Sequence, residues 1–177
     1  MHRHATRNAV RKRKRASPAV AAGLGAAPHL NESAPLKKET IMEVEKIKFD
    51  AHTNNTGNLV FLEGNRDIPF NIKRVYYLYG IKKGERRGLH AHKDLQQAYI
   101  CLHGSCKVLL DDGKEKTNVL LDSPDDCLLF TGGVVWREIY EFSQDAVLLV
   151  LASEHYDEED YIRNYDDFVK YINMEAL

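Results

Sequence analysis

The 177-residue sequence contains only three cysteines, Cys101, Cys106 and Cys127, and no C-x-x-C pair. An odd number at these spacings argues against a disulfide framework and against a zinc knuckle, and it is typical of a protein in a reducing cytoplasm. The sequence also lacks an apolar run of the length that a membrane span requires, about 20 residues. These absences predict a soluble, cytoplasmic globular protein without a membrane partner.

The sequence has almost no net charge, since its formal charge is −1, but the charges are unevenly distributed. Residues 1–41 contain nine Lys/Arg and two Asp/Glu, whereas residues 42–177 contain 16 and 24. The acidic main part argues against nucleic acid as its partner. The first 41 residues have no regular periodicity and few bulky apolar side chains, so we predict a disordered basic extension.

Two alternatives remain for this extension. Its basic residues precede an Ala/Gly-rich stretch, as in a signal peptide, although that stretch is only weakly apolar. The Arg/Lys run at residues 11–15 is also a pattern of nuclear or nucleic-acid targeting. Met42 directly precedes the first patterned segment, so the extension also suits a misplaced start codon. We therefore treat residues 42–177 as the domain.

From Met42 onward, short segments of β-branched and aromatic residues alternate with turn residues, which is typical of strands. The clearest is residues 71–79, and Asp112-Gly113 predicts a hairpin turn. About ten such strands at close intervals predict an all-β barrel or sandwich. The predicted strands are residues 46–49, 59–62, 71–79, 97–103, 107–110, 117–121, 127–130, 134–142 and 146–152.

The C-terminal part has a different pattern. Asp157 and three acidic residues after it are suited to an N-cap and an acidic first helical turn. Apolar residues then recur at helical spacing. We predict one amphipathic helix that packs against the barrel or a partner subunit. Its apolar face comprises Tyr161, Ile162, Tyr165, Phe168, Val169 and Ile172.

Two histidines, His90 and His92, stand two residues apart on an extended segment, and their side chains therefore point the same way. The spacing of Gly84, His90, His92, Gln97 and Gly104 resembles the first motif of the cupin superfamily, G-x5-H-x-H-x4-E-x6-G. In metal-binding cupins, both histidines, the Glu and a further His from a second motif hold a divalent ion. The resemblance thus implies that His90 and His92 line a pocket.

Two of the four metal ligands are absent from this sequence. Gln97 stands in place of the Glu, and Trp136 stands in place of the last His. A neutral amide is a poor ligand for such a cation, and an indole offers no lone pair. We therefore expect no metal and no other cofactor, and a histidine pair available for proton transfer.

Further short motifs occur in order along three quarters of the chain. They include RGLHAHK at residues 87–93 and YDEEDYIR at residues 156–163, with others at 68–77, 102–106, 110–113, 121–124, 135–138 and 150–153. In this order they resemble the sugar 3,4-ketoisomerases, cupins that act on thymidine-diphosphate-linked 4-keto-6-deoxy sugars.

This resemblance implies a double-stranded β-helix (jelly roll), with the predicted C-terminal helix attached, and a homodimer. It implies a nucleotide-sugar substrate and a role in making deoxysugars for surface glycans such as lipopolysaccharide O-antigen. It also implies that His90 and His92 lie in the active site. Some relatives have His where this chain has Arg137, so the contribution of Arg137 to substrate binding stays open.

Moving a ketone from C4 to C3 of a hexose requires a base at C3, an enediol intermediate and an acid at C4. Histidine, with an ordinary pKa of about 6.5, accepts and donates protons near neutrality. We predict that His92 is the base and that His90 polarises or protonates the sugar oxygens, and the reverse order stays open. Gln97 is expected to orient one ring or the substrate, with a plain strand hydrogen bond as the alternative.

Four further residues are candidates for substrate binding. Arg74 and Tyr76 share one strand face; if it faces the barrel interior, as we favour, Arg74 holds the diphosphate or the sugar and Tyr76 donates to an oxygen. Arg87 belongs to a positive cluster at residues 82–87 that suits an anionic substrate, unless that cluster is only a solvated turn. Trp136 is expected to form a wall of the pocket.

Other functions remain as alternatives. A 3,5-epimerase on the same substrates typically couples its His to an Asp and uses a Tyr acid, in a sequence context that we do not find here. A non-catalytic sugar-binding cupin is not excluded by the sequence. A metal-dependent dioxygenase or phosphomannose-isomerase-like enzyme is opposed by the two missing ligands.

Overall fold

Two five-stranded antiparallel sheets face each other in the structure, a computed structural model that describes residues 43–175. The first sheet has the strand order β1-β9-β6-β11-β4, and the second has the order β12-β5-β10-β7-β8. Strands β2 and β3 form a separate hairpin. This is the jelly-roll arrangement that the family resemblance implied. The strands are β1 (Glu43–Lys48), β2 (His52–Asn54), β3 (Gly57–Leu59), β4 (Arg74–Tyr79), β5 (Arg87–His92), β6 (Gln97–His103), β7 (Cys106–Asp111), β8 (Lys116–Leu121), β9 (Asp126–Gly132), β10 (Trp136–Tyr140), β11 (Val147–Ala152) and β12 (Tyr161–Ile162).

The main core lies between the two sheets. Its side chains come from alternate positions of the strands, because successive side chains of a strand point to opposite faces. In β7, for example, Cys106, Val108 and Leu110 are buried while the residues between them are partly exposed. Burial of each large apolar side chain stabilises the fold by roughly 1.5–3 kcal/mol. The buried cluster comprises Tyr99, Cys101, Cys106, Val108, Leu110, Val119, Leu121, Leu128, Phe130, Val135, Ile139, Leu148 and Val150.

Helix α1 (Tyr165–Glu175) covers the outer face of the second sheet. Phe168 is its one fully buried residue and packs with Ala91, Val134, Trp136 and Ile162. The outer face of the first sheet carries a second apolar cluster that includes Ile68, Phe70 and Leu151. Both sheets are therefore covered in part on their outer faces, and the space between their inner faces is left for the core and the histidine pair.

The predicted C-terminal helix begins too early. Asp157 does cap a helix, but it is the short 3₁₀ helix Glu158–Asp160, and α1 starts only at Tyr165. Tyr161 and Ile162 form strand β12 and pair with β5. The helical spacing of their side chains was misleading because pairing with the edge of β5 supplies backbone hydrogen bonds that override local periodicity.

Another prediction was wrong near the start of the domain. Only Leu59 of the predicted strand 59–62 belongs to a strand, and the turn-rich stretch before it forms the β2–β3 hairpin. Phe61 instead stacks on His52 with 5.3 Å between ring centroids. The basic extension, residues 1–41, lies outside the described residues. Among residues 43–175, no helix has both the length and the apolar character needed to cross a membrane.

Candidate active site

A bulge in β5 positions the histidine pair. His90 lies opposite Arg137 of β10 and Gly88 lies opposite Glu138, so Leu89 is an extra residue on β5. Both Gly88 (φ +81°) and Leu89 (φ +57°) have left-handed backbone conformations. A Cβ atom at Gly88 would lie 2.7 Å from the Arg137 carbonyl oxygen, so no side chain fits there. The bulge turns the Gly88 carbonyl towards His90, where it accepts a hydrogen bond from Nδ1 at 2.8 Å.

The two histidines point the same way, as the sequence predicted, and their rings also contact each other. Their Nε2 atoms are 3.1 Å apart, and the rings meet edge to face with centroids 4.8 Å apart. His92 is buried and His90 is partly buried. Nδ1 of His92 lies 2.6 Å from Oδ2 of Asp160. A carboxylate only accepts hydrogen bonds, so His92 donates from Nδ1.

Asp160 and Tyr161 reach the histidines through β12. Tyr161 pairs with His92 across the strands, and its ring centroid lies 4.2 Å from that of His92 and 4.9 Å from that of His90. Neither residue was predicted as part of the site, because the sequence pattern placed both in a helix. The available signal was the YDEEDYIR motif, in which an acidic residue precedes an aromatic one. The structure therefore contains a histidine–aspartate pair, His92–Asp160, that was not found in the sequence.

Burial and positive charge keep the histidines neutral. Desolvation is the largest cause that lowers the pKa of His90 to about 4, and the Arg137 guanidinium is the next. The same two causes, followed by the charge of His90, hold the pKa of His92 far below its ordinary value. The bare nitrogens of both rings are therefore able to accept protons at neutral pH.

Arg137 is the inward-pointing residue opposite His90, and it is 1% exposed. It donates to Oε1 of Gln97 and, at 3.3 Å, to the Val135 carbonyl, and its guanidinium lies 4.4 Å from the centroid of the Phe130 ring. It forms no ion pair with a carboxylate within residues 43–175. Its charge is thus balanced only by neutral acceptors, and it lowers the pKa of both nearby histidines.

Gln97 connects Arg137 to a tyrosine pair. Its Nε2 donates to the Tyr76 hydroxyl at 2.9 Å, and its Oε1 accepts from the Tyr99 hydroxyl at 3.2 Å. Gln97 therefore points into the interior with the histidines, but its hydrogen bonds orient Arg137 and the tyrosines rather than an imidazole ring. Burial raises the pKa of Tyr76, which keeps its hydroxyl protonated.

Trp136 does not line the pocket, which corrects the prediction. Side chains alternate along β10, so Arg137 points inward and Trp136 points to the outer face. There the indole packs on Tyr165 and Phe168, with centroids 5.3 and 5.9 Å away, and Nε1 donates to Glu138 at 3.2 Å. At this level of the barrel the residue beside the histidines is Arg137.

Arg74 and Tyr76 are on the inner face of β4, as we favoured, while Val75, Tyr77 and Tyr79 are exposed. The Arg74 guanidinium lies 5.5 Å from the centroid of the Tyr76 ring and 5.6 Å from that of Tyr156, but its buried Nε has no hydrogen-bond partner among the described residues. Arg74 also lines a cavity of about 520 Å³. The other lining residues are Lys93, Asp94, Leu95, Glu154, His155, Tyr156, Asp157, Glu159, Asp160 and Tyr161.

Arg87 lies apart from these groups. It is the first residue of β5 and is exposed, opposite Ile139 of β10. Its neighbour Arg86 pairs with Glu138 at 2.6 Å, so part of the positive cluster is neutralised. The structure does not place Arg87 in contact with the histidine pair.

The metal of other cupins does not fit these residues. The amide of Gln97 is used by Arg137 and Tyr76, and the position facing His90 is a guanidinium, whose charge opposes a bound cation. Within residues 43–175 no three His, Cys, Asp or Glu side chains form a group that is able to hold a metal ion. We therefore derive no step through a metal.

The chain is similar to known proteins over most of its length. A family profile described as FdtA, WxcM-like, C-terminal, matches residues 40–173. A TDP-4-oxo-6-deoxy-α-D-glucose 3,4-oxoisomerase from Aneurinibacillus thermoaerophilus is 52% identical over 74% of this chain and 94% of its own length. A crystal structure of a sugar 3,4-ketoisomerase from Thermoanaerobacterium thermosaccharolyticum, in complex with TDP, is 46% identical and has a TM-score of 0.73, covering 76% of this chain and 97% of that one.

A more distant structure belongs to a 3′-monoepimerase from Streptomyces bikiniensis, in complex with dTDP. It is 17% identical and has a TM-score of 0.58, covering 68% of each chain. At this identity the likeness indicates a shared fold only. It gives no support to an epimerase activity in this chain.

Proposed function

The chain belongs to the FdtA (WxcM-like) family, and from that membership we propose that it is an isomerase that converts a TDP-linked 4-keto-6-deoxyhexose to its 3-keto isomer. The observation that carries the proposal is the buried pair His90–His92. Its neutral rings, held by Asp160 and the Gly88 carbonyl, adjoin residues that line a cavity large enough for part of a nucleotide sugar.

The chemistry follows from the state of the rings. A neutral, desolvated imidazole takes the proton from C3, next to the C4 ketone, and an enediolate forms across C3 and C4. Return of a proton to C4, with transfer of the hydroxyl proton from the C3 oxygen to the C4 oxygen, gives the 3-keto sugar. We assign the base to His92 and the interaction with the sugar oxygens to His90, because His92 is the ring fixed by Asp160.

Fixed donors stabilise the developing negative charge. Tyr76 remains protonated and accepts from Gln97, so its own hydrogen is available to a sugar oxygen. Arg137 is a buried cation without a carboxylate partner in the described part of the chain, and its position next to His90 suits it to the enediolate.

Substrate binding is assigned to Arg74 first. Its Nε is buried without an acceptor in residues 43–175, and its side chain lines the cavity, so an oxygen of the diphosphate or the sugar would satisfy it. Gln97 supports this site by orienting Arg137 and Tyr76. Arg87 is a weaker candidate because it is exposed and has no contact with His90 or His92 in the structure, although it adds positive charge at the start of β5.

We also propose a homodimer in the cytoplasm, within a pathway that makes deoxysugars for surface glycans such as O-antigen. Edge strand β4 exposes Val75 (58%), Tyr77 (63%) and Tyr79 (68%) on its outer face. An apolar edge of this kind favours pairing with a second subunit. The three free, buried cysteines suit a reducing compartment.

The direct test is incubation of the purified protein with TDP-4-keto-6-deoxyglucose, followed by proton NMR of the sugar. We expect loss of the C3 proton signal of the substrate, appearance of a 3-keto product, and full activity after chelation and dialysis. The configuration at C4 of the product, galacto or gluco, is read from the H4 couplings in the same spectrum.

Other outcomes of that experiment identify the alternatives. Exchange at C5 in deuterated water would indicate an epimerase. Thermal stabilisation by the sugar nucleotide without any exchange at C3 would indicate a sugar-binding protein without catalytic activity. Loss of turnover on chelation, restored by about one ion per chain, would indicate a metal enzyme.

A further inference from the structure

A continuous chain of short polar contacts joins four groups at the site. It runs from the Gly88 carbonyl to Nδ1 of His90, from Nε2 of His90 to Nε2 of His92, and from Nδ1 of His92 to Asp160. Both ends of the chain are groups that only accept hydrogen bonds. Each histidine must therefore carry its hydrogen on Nδ1, and the two Nε2 atoms are the free lone pairs.

Asp160 is itself held firmly in place. Its Oδ1 accepts from the backbone N–H groups of Lys93 at 3.2 Å and Asp94 at 2.8 Å, which leaves Oδ2 directed at His92. These two N–H groups follow His92 in the chain, so the carboxylate and the imidazole are fixed relative to the same backbone segment. The arrangement constrains the tautomer of His92 and the orientation of its ring.

The neutral pair has an unusual local structure. The lone pairs of the two Nε2 atoms face each other across 3.1 Å. This distance is within hydrogen-bond range, so one proton placed between the two nitrogens would form a hydrogen bond. The charged groups that face the pair from the surrounding elements are Arg74, Arg137, Arg163, Glu158 and Asp160. The arginines keep the resting pair unprotonated, and Asp160 supplies the negative charge that balances an arriving proton.

We propose that Asp160 is a positioning residue that fixes the Nδ1–H tautomer of His92. In place of a separate contact with the sugar oxygens, His90 then acts with His92 as one two-nitrogen base whose Nε2 atoms share a single proton. This proposal rests on the proposed isomerase function. In the reaction, the C3–H bond breaks, its electron pair forms the enediolate, and its proton is held between the Nε2 atoms. The same proton then forms the C4–H bond.

The substitution Asp160→Asn tests the positioning role. The Asn carbonyl keeps the two backbone hydrogen bonds, but its NH₂ group donates to Nδ1 of His92, which must then lose its hydrogen. The hydrogen moves to Nε2, where it donates to Nε2 of His90 and occupies both lone pairs. We expect kcat to fall by roughly 10²-fold or more, with KM unchanged, because the base is lost while the substrate contacts remain.

The decisive readout is the ¹⁵N NMR spectrum of the imidazole rings, which needs no substrate. In the wild-type protein at pH 7 we expect Nδ1–H signals and bare Nε2 signals for both rings. In D160N we expect the Nε2–H tautomer of His92. On acidification of the wild-type protein, the Nε2 signals of both rings should shift together with the uptake of one proton.

The matched control is Asp145→Asn, which makes the same change at the exposed pair His103–Asp145. It should leave kcat and the spectra of His90 and His92 unchanged. The proposal is overturned if wild-type His92 carries its hydrogen on Nε2, if the two rings protonate in separate steps, or if D160N folds and keeps the wild-type tautomer and kcat. If D160N does not fold, the wild-type spectra alone decide.

Failure of the two proposals is distinguishable. The expected tautomers and joint protonation without turnover of any keto sugar would reject the isomerase function and retain the two-nitrogen acceptor. Turnover with separate protonation of the rings would reject the shared proton and retain the isomerase function.

Discussion

The described part of the protein contains two histidine–aspartate pairs of similar length in different surroundings, one formed through Nδ1 of His92 and the other through Nε2 of His103. The nitrogen–oxygen distance is 2.6 Å for His92–Asp160 and 2.8 Å for His103–Asp145. The His92 side chain is 1% exposed, however, whereas the His103 side chain is 66% exposed. Water screens the exposed pair, so that pair contributes little to the stability of the fold. The buried pair adjoins a second histidine and Arg137, and there the same contact determines which nitrogen is free to react.

The largest expected difference between the two pairs comes from substituting His92 and His103 one at a time. His92→Asn should lower kcat by about 10²–10⁴-fold, because it removes the base. His103→Asn should leave kcat unchanged. Both are measured by NMR of the sugar product under saturating substrate, with circular dichroism to establish folding. Equal losses in the two variants would mean that burial does not distinguish the pairs.

Arg137 is the second difference between the two surroundings. Its charge lowers the pKa of His90, so Arg137→Met should raise that pKa from about 4 towards 6.5. A histidine with a higher pKa is protonated, and lost as a base, at higher pH. We expect the acid limb of the kcat profile to move up by roughly one pH unit. Arg137→Lys keeps the charge and serves as the control; an equal shift in both variants would contradict the electrostatic explanation.

Stability should depend on pH because of the buried pair. The folded protein takes up a proton on His90 at about pH 4, whereas the unfolded chain does so at 6.5. The low pKa of His90 therefore makes its full contribution to the free energy of unfolding above pH 6.5. That contribution is lost as the pH falls from 6.5 towards 4. The slope is at most about 1.4 kcal/mol per pH unit for each such histidine.

Urea unfolding between pH 7 and pH 5 measures this effect on the free energy of unfolding. His90→Asn should flatten the dependence, and His103→Asn should not. A wild-type free energy of unfolding that stays constant over this range would show that the buried pair is protonated to the same extent in both states.

The smallest effect is expected outside the site. Trp136→Phe removes part of the indole that packs on Phe168 and the hydrogen bond to Glu138. We expect thermal or urea unfolding to report a loss of roughly 0.5–3 kcal/mol. The kcat and KM values should stay at the wild-type level, because Trp136 points to the outer face. A raised KM with normal stability would indicate that Trp136 contacts the substrate and would contradict its outward orientation.

Much of the fold was predictable from local patterns. Strand β6 and the hairpin of β7 and β8 follow the predicted boundaries to within one residue, because alternating burial and the Asp112-Gly113 turn are local signals. The same alternation predicted that Arg74 and Tyr76 share one face of their strand, but it did not specify which face; in the structure that face is the inner one. The prediction for Trp136 failed because it came from the position of this residue in the cupin motif, and a motif position does not specify the face of the strand.

The sequence by itself determined the all-β class, the common direction of His90 and His92, and the family motifs, since each depends on periodicity or on short spacing. The jelly roll was implied by the resemblance that those motifs carry. Only the tertiary structure decided that Asp160, 68 residues away from His92, holds its Nδ1 and that Arg137 lies across from His90. Those contacts depend on which strands become neighbours, β12 and β10 beside β5, and on the Leu89 bulge that sets their register. No local pattern encodes them, because strand pairing is a property of the whole sheet.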